Sequence, residues 1–186
     1  MTGNKINIVV FGCDNSGKTT LCNSLKRYVC DLRDLLASEV EVVKSLGPAN
    51  YEMQKEFMDK MLSEDKSHIF DRFPIIEEMT CGPVLRGKNN FENYVDEADY
   101  FLNKIDLFIY CKPSLDSILN WGTREQMSGI KENIMPLIDA YDSCLKVLQQ
   151  MGLHVMIYNW EEDDIEERLE FLYEYNTRRK RSGKRG

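Results

Sequence analysis

Nine consecutive residues near the N-terminus have the composition of a phosphate-binding loop. They read GCDNSGKTT, and the first eight fit the pattern G-x-x-x-x-G-K-[ST] after the apolar run INIVVF. The two glycines allow backbone N–H groups to turn toward one anion, and the N-terminus of a following helix adds a favourable partial charge. The pattern predicts a nucleoside triphosphate site. Its phosphate-binding residues are Gly12, Cys13, Asp14, Asn15, Ser16, Gly17, Lys18, Thr19 and Thr20.

A second polar group follows the apolar run SHIF. Asp71 and Arg72 leave the C-terminal end of what we predict to be a parallel strand. In open α/β sheets, ligands bind at that edge, which is also where the phosphate loop must lie. The pair is therefore a candidate for catalysis. The alternative is an ordinary surface salt bridge.

These residues must be positioned by alternating strands and helices. Short apolar runs predict strands at residues 5–11, 40–45, 67–71, 106–111 and 153–158. Helical periodicity predicts helices near residues 18–36, 51–62, 75–85, 91–103 and 136–151, with a last helix within the acidic stretch 161–175. This alternation predicts an α/β fold with a five-stranded parallel sheet covered by helices on both faces.

Composition limits the class of protein. The chain has 186 residues and 42% hydrophobic content, which is enough for one domain with a substantial core. No stretch approaches 18 consecutive apolar residues, so we expect no membrane span, and the first residues lack the pattern of a signal peptide. The six cysteines form no CxxC pair, which favours reduced thiols and a cytoplasmic location.

Charge is distributed unevenly along the chain. Of the 24 basic residues, six lie in the last nine positions, RRKRSGKRG, which contain no acid. The other 18 basic residues accompany all 31 acidic residues, so the chain without this tail has a net charge of −13. Residues 178–186 are most simply a solvated, disordered tail. The alternative is an arm that binds DNA phosphates.

Two common classes of phosphate-loop protein lack their signatures here. A small GTPase needs an Asn-Lys-x-Asp run after a late strand, and CKPS at residues 111–114 does not supply it. A motor ATPase usually ends an apolar run with an acid, and FIYCKPS has none. These absences favour a kinase.

The motifs resemble those of the thymidylate kinases. Gly-x-Asp-x-x-Gly-Lys-Thr in the loop is similar to that family's form, and Asp71-Arg72-Phe73 stands where the family has Asp-Arg-Tyr. The stretch TREQMSGIKENIMPLIDAYDSCL resembles the lid and following helix of the wider deoxynucleoside and thymidylate kinase group. The resemblance implies a three-layer P-loop kinase fold over residues 1–177 with a lid near 118–133. It also implies ATP with Mg²⁺ as donor and a deoxyribonucleotide acceptor.

The resemblance implies roles for individual residues. Lys18 would contact the donor phosphates, and Thr19 would bind Mg²⁺. Arg72 would neutralise the acceptor phosphate or the transferring group, and Asp14 would lie near the acceptor sugar or its attacking oxygen. Asp71 would position Mg²⁺ through water or accept a proton. Thr19 and Asp71 are thus the expected metal ligands.

A lid residue completes the expected catalytic set. Arg124 would close over the phosphates, exclude water and stabilise charge on the transferred group. The alternative interpretation is that Arg124 is an ordinary solvated residue of a helix. The predicted catalytic residues are Lys18, Asp14, Asp71, Arg72 and Arg124. The predicted acceptor-binding residues are Asp14, Phe57, Arg72, Phe73, Glu77 and Arg86.

The acceptor side departs from the family pattern. Leu46 replaces the family's acid after the second strand, and the next helix offers Lys55 and Lys60 where the family has an arginine. Glu77 and Glu78 are most simply a solvated helix face, with acceptor recognition or a catalytic base as the alternative. A nucleoside monophosphate needs charge neutralisation more than a base, whereas a hydroxyl acceptor needs a positioned carboxylate.

Three functions remain open from the sequence. The leading one is an ATP-dependent kinase acting on a deoxythymidine- or deoxyuridine-type monophosphate. Some bacteriophage relatives of the thymidylate kinases phosphorylate the hydroxymethyl group of a modified uracil within DNA. The second candidate function is a kinase of this kind, which would be located in the host cytoplasm. The third is a non-catalytic nucleotide-binding regulator, against which Lys18 and Asp71-Arg72 count. Many family members form dimers, so a homodimer is also implied.

Overall fold

The sheet has five strands, all parallel. The structure, a computed structural model, describes residues 5–33, 35–45, 49–120 and 129–170. The strands are β1 (Asn7–Phe11), β2 (Val40–Lys44), β3 (Ser67–Asp71), β4 (Leu107–Cys111) and β5 (Val155–Tyr158). Their order in the sheet is β2-β3-β1-β4-β5. The predicted five-stranded parallel sheet is confirmed, and each strand's bounds differ from expectation by at most two residues.

Helices cover both faces of the sheet. They are α1 (Lys18–Arg33), α2 (Tyr51–Ser63), α3 (Pro74–Cys81), α4 (Val95–Leu102), α5 (Leu115–Leu119) and α6 (Ile134–Gln150), and residues 165–170 are also helical. The apolar stripe of α1 packs on one face, and the stripes of α2, α3, α4 and α6 pack on the other. The chain therefore has three layers, as predicted.

The central strand, β1, is buried on both faces and leads into the phosphate loop. In β1, Val9 and Phe11 belong to the core under α2, α3 and α6, whereas Ile8 and Val10 belong to the core under α1. All five residues of β1 are buried, as expected for a parallel strand with helices on both sides. The C-terminal end of β1 therefore delivers the phosphate loop to the middle of the sheet.

One predicted helix is divided into two segments. Residues 75–85 were expected to form a single helix, but α3 ends at Cys81 and a π-helical turn covers Gly82–Arg86. Pro83 has no N–H to continue the α-helical ladder, which accounts for the change. Gly87 then closes the turn in a left-handed conformation, with φ of 65°.

Several predictions fall on residues outside the described ranges. Arg124 and residues 121–128, half of the predicted lid segment, are among them, as are Leu46 and the basic tail at residues 178–186. Among the described residues, no helix is both long and apolar enough to cross a bilayer. All six cysteines carry free thiols.

Candidate active site

The phosphate loop is a tight turn between β1 and α1. Gly12 has φ of 138°, and a Cβ at this position would lie 2.5 Å from the carbonyl oxygen of Cys111. Gly17 has φ of 88°, a conformation that favours glycine. Lys18 is 6% exposed, and its Nζ donates to the Cys13 carbonyl oxygen at 2.5 Å. The loop thus folds closely around the lysine that is expected to contact phosphate.

Asn15 fastens the outer side of the loop to α5. Its φ is 65°, a left-handed conformation that Asn tolerates better than most residues. Its Nδ2 donates to the carbonyl oxygens of Ser117 at 2.8 Å and Asn120 at 2.9 Å. The loop is therefore held by α5 and Asn120, which overlap the start of the predicted lid.

Two oxygen-bearing side chains meet where α1 begins and β3 ends. The Thr19 hydroxyl donates to Asp71 Oδ2 at 2.7 Å, although 52 positions separate them in the chain. A hydroxyl and a carboxylate at this spacing are the kind of oxygen ligands that Mg²⁺ prefers, with water completing its shell. The arrangement fits the predicted metal ligands. Thr19 and Thr20 are both exposed at the start of α1.

Arg72 lies between two carboxylates beside the loop. Its Nη2 donates to Asp14, and its Nη1 donates to Glu77 Oε2 at 2.9 Å. The side chain is only 22% exposed. Burial is the largest single influence and favours the neutral guanidinium, but Glu77, together with Tyr141 and Cys81, outweighs it and holds the pKa of Arg72 above its usual value. A permanent positive charge therefore stands next to the phosphate loop.

The backbone of Arg72 is unusual for a residue with a large side chain. Its φ is 75°, and its N–H donates to the Val10 carbonyl oxygen at 3.0 Å, one strand away. A non-glycine residue in this region costs on the order of 1–3 kcal/mol and persists only where its surroundings hold it. The conformation turns the side chain from β3 toward the loop, and the two carboxylates hold it there.

Tyr141 is a member of this group that the sequence did not reveal. Its hydroxyl donates to Glu77 Oε1 at 3.1 Å and lies 3.5 Å from Arg72 Nη1. The ring packs among Phe11 and Tyr110 and is 1% exposed, so burial raises the pKa of Tyr141 well above its usual value. The hydroxyl therefore stays protonated and holds Glu77 as a donor. Only its place on an apolar helix stripe was visible in the sequence.

The interpretation of Glu77 and Glu78 as a solvated helix face is wrong. Glu77 bonds with Arg72, and Glu78 is 1% exposed. The carboxylate of Glu78 accepts from Gln54 Nε2 at 2.9 Å, Arg86 Nη2 at 2.7 Å and the backbone N–H of Asn90 at 3.0 Å. This buried carboxylate network joins α2, α3 and the π-helical turn. Arg86, expected to bind the acceptor, contributes its guanidinium to the network.

The two aromatic candidates for acceptor binding lie in different environments. Phe73 is fully buried and packs edge-on against Phe70, so in this structure it supports β3 from within the core. Phe57 is half-buried and packs against the same core from α2. Lys55 and Lys60 lie on the outer face of α2 and line a surface groove with Tyr100 and Lys104 of the α4 region.

Two further side chains border the phosphate loop. Burial raises the pKa of the Cys13 thiol to about 12, with Lys18 opposing the shift, so the thiol stays protonated at neutral pH and is a poor nucleophile. Trp160, after β5, is half-exposed, and its indole would lie 3.0 Å from a Cβ added at Gly17. An aromatic surface therefore lies against the outside of the loop.

Comparison with known proteins identifies the fold. No protein-family model and no curated protein matches the sequence. The YorR protein of Bacillus subtilis, solved with phosphorylated GDP, matches with a TM-score of 0.67 and 18% identity, covering 92% of this chain and 98% of that one. Thymidylate kinase of Candida albicans matches with a TM-score of 0.56 and 14% identity, covering 93% of this chain and 92% of that one.

A deoxynucleoside kinase has the same architecture. Deoxyadenosine kinase from M. mycoides, solved with its products, matches with a TM-score of 0.54 and 17% identity, covering 92% of this chain and 98% of that one. At such identities the likeness concerns the fold. The chain therefore has a thymidylate kinase-like P-loop kinase fold, and the fold that the motifs implied is confirmed.

Proposed function

We propose that the chain is an ATP-dependent kinase that transfers the γ-phosphate to a deoxythymidine- or deoxyuridine-type monophosphate. The observation that carries the proposal is the position of Arg72, which bonds with Asp14 of the phosphate loop itself. A fixed positive charge beside the loop is what a phosphate acceptor requires, because its attacking oxygen is already ionised near pH 7.

The donor half of the proposed site uses the loop and the start of α1. Backbone N–H groups between Gly12 and Lys18 hold the phosphates of ATP, and the Lys18 ammonium contacts the β- and γ-phosphates. Thr19 and Asp71 hold Mg²⁺, which offsets charge on the phosphates when bound. Trp160 offers the donor base an aromatic surface beside Gly17.

The acceptor half uses side chains from several elements. Arg72 neutralises the acceptor phosphate and the transferring group, and Asp14 orients the acceptor sugar. Glu77 and Tyr141 keep Arg72 in position between exchanges of substrate. Phe57 contacts the acceptor base from α2, and Arg124 closes over the phosphates to exclude water.

A second candidate acceptor is the hydroxymethyl group of a modified pyrimidine in DNA. One observation favours it: Arg72 already pairs with two carboxylates, so a candidate base for a hydroxyl acceptor stands beside the loop. A carboxylate partner also reduces the positive charge available to an incoming phosphate. The basic residues 178–186 would hold the polymer in this case.

One experiment separates the candidates. ATP labelled in the γ-phosphate is supplied with Mg²⁺ and two sets of acceptors, a panel of deoxynucleoside monophosphates and duplex DNA containing hydroxymethyluracil. We expect label in a diphosphate of thymidine or deoxyuridine. Label in the polymer would instead identify the second candidate. ATP binding without transfer to any acceptor would contradict a kinase and favour a nucleotide-binding regulator.

A further inference from the structure

A group of potential metal ligands lies at the sheet edge opposite the phosphate loop. Glu41 in β2 and His68 in β3 are direct neighbours in the parallel register, and Glu64 precedes His68 by four residues. One ligand atom of each of these three residues lies within 4.8 Å of the others. His68 is the second residue of β3, three positions before Asp71, which corresponds to about 10 Å along the strand.

His68 is an unusual side chain for the interior. It is 0% exposed, and neither ring nitrogen has a hydrogen-bond partner among the described residues. Buried polar atoms normally have partners, and an orphaned one calls for an explanation such as an ion. Nε2 points toward Glu64, at 3.4 Å from Oε2. This distance is longer than a good N–H···O hydrogen bond.

The same distance suits a shared metal ion. Zinc binds imidazole nitrogen and carboxylate oxygen at about 2.0–2.2 Å, so two of its tetrahedral ligands lie roughly 3.4 Å apart. Glu41 is exposed and gives an ion access from solvent.

We propose that Glu41, Glu64 and His68 form a binding site for a zinc-class divalent cation, separate from the Mg²⁺ site at the other edge of the sheet. One nitrogen and two carboxylate oxygens make three protein ligands, and water fills the open position. Because β2 is an edge strand, the ion fastens β2 to β3 and to the chain leaving α2. The site is structural in character, and phosphoryl transfer does not depend on it.

Two lysines border the site and limit its affinity. Lys66 Nζ lies 3.5 Å from Glu41 Oε2, and Lys5 Nζ donates to the carbonyl oxygens of Leu62, at 3.0 Å, and Glu64. Lys66 is roughly half-exposed, so an arriving cation can displace it into solvent. Lys5 stays close because it bonds with the backbone. We therefore expect Lys66→Ala to strengthen metal binding.

The test uses the full chain and two metals. Zn²⁺ is titrated calorimetrically in the presence of excess Mg²⁺, and Co²⁺ binding is followed by its visible absorption. We expect one equivalent to bind, with a rise in the thermal unfolding midpoint. Glu41→Gln, an exposed substitution that leaves the core intact, weakens binding at least about tenfold, as loss of a ligand should. Asp65→Asn, which removes a neighbouring exposed charge, is the matched control and leaves the affinity unchanged.

His68→Gln gives a second, independent readout. We expect the visible bands of bound Co²⁺ to disappear in this variant while its folded-state circular dichroism is retained. A thiolate-to-cobalt band in the wild-type protein would assign the metal to cysteine and overturn the proposal. Equal affinities for wild type and Glu41→Gln would overturn it as well, as would the absence of any Zn²⁺ binding. None of these readouts depends on kinase activity.

Discussion

The donor and acceptor halves of the proposed active site are built differently. The donor half is nearly continuous in sequence, from Gly12 to Thr19, and depends on backbone conformation and the start of one helix. The acceptor half brings together Arg72, which directly follows β3, with Glu77 of α3 and Tyr141 of α6. The two halves meet at the bond between Asp14 and Arg72.

The difference has a physical origin. Binding a polyphosphate requires several N–H groups pointing at one anion, which a single short loop provides in any protein that has it. Binding an acceptor requires a specific shape and charge, which side chains from separate elements must supply together. The donor half therefore follows a pattern that is recognisable in the sequence, whereas the acceptor half depends on how separate elements pack together.

The largest effect is expected when the lysine of the donor half is removed. Lys18→Ala should lower phosphoryl transfer by about 10³-fold or more, because no other ammonium occupies the loop among the described residues. Acceptor binding, measured by calorimetry, should persist. Lys26→Ala, on the same helix, is the control and should transfer at the wild-type rate. Full activity of Lys18→Ala would contradict the donor assignment.

Replacing the guanidinium tests the acceptor half. Arg72→Lys keeps the charge but cannot bond with Asp14 and Glu77 at once, so transfer should fall about 10²-fold. ATP affinity should change little, because the loop is intact. If ATP affinity and transfer fell together, the two halves would not be separable.

The support beneath the acceptor half is tested through stability. Glu78→Gln leaves at least one of the donors from Gln54, Arg86 and Asn90 poorly matched in a buried site, and should cost about 1–3 kcal/mol of unfolding free energy. Urea unfolding measures this loss. Glu92→Gln, at an exposed position, is the matched control. A loss no larger than the control's would mean that the network is solvated in solution.

The smallest expected effect concerns Tyr141. Tyr141→Phe removes one hydrogen bond to Glu77 and preserves the packing, so the rate of transfer should fall about 3- to 10-fold. Since the hydroxyl contacts Glu77 and Arg72 of the acceptor half, the loss should appear with ATP affinity unchanged. Tyr100→Phe, on an exposed face of α4, is the control. An unchanged rate of transfer in Tyr141→Phe would mean that the Tyr141 hydroxyl has no role in positioning the acceptor half.

The fold could be predicted because its signals are local. Each strand is a short apolar run, and burial of both faces of β1 explains why its run does not alternate with polar residues. Helical periodicity predicts one helix over residues 75–85, but the α-helix ends at Cys81 because the missing N–H of Pro83 breaks the ladder.

The acceptor half could be predicted only in part. Asp71 and Arg72 stood out by following a strand, but nothing in the sequence indicated the partners of Arg72. Two adjacent glutamates on a helix are usually solvated, whereas Glu77 and Glu78 here pair with two different arginines. Such pairings depend on how α3 and α6 pack on the sheet, which is a property of tertiary structure. Tyr141 was hidden in the same way among core residues.

The most direct test of the account is whether the two halves act as one site. A double-mutant cycle on Asp14→Asn and Arg72→Lys would be measured as single-turnover transfer from labelled ATP to the preferred acceptor. The account predicts strong non-additivity, with the double variant little slower than Arg72→Lys alone, because both substitutions disrupt one contact. Additive losses would mean that Asp14 and Arg72 act independently, and would contradict a single site joined at this bond.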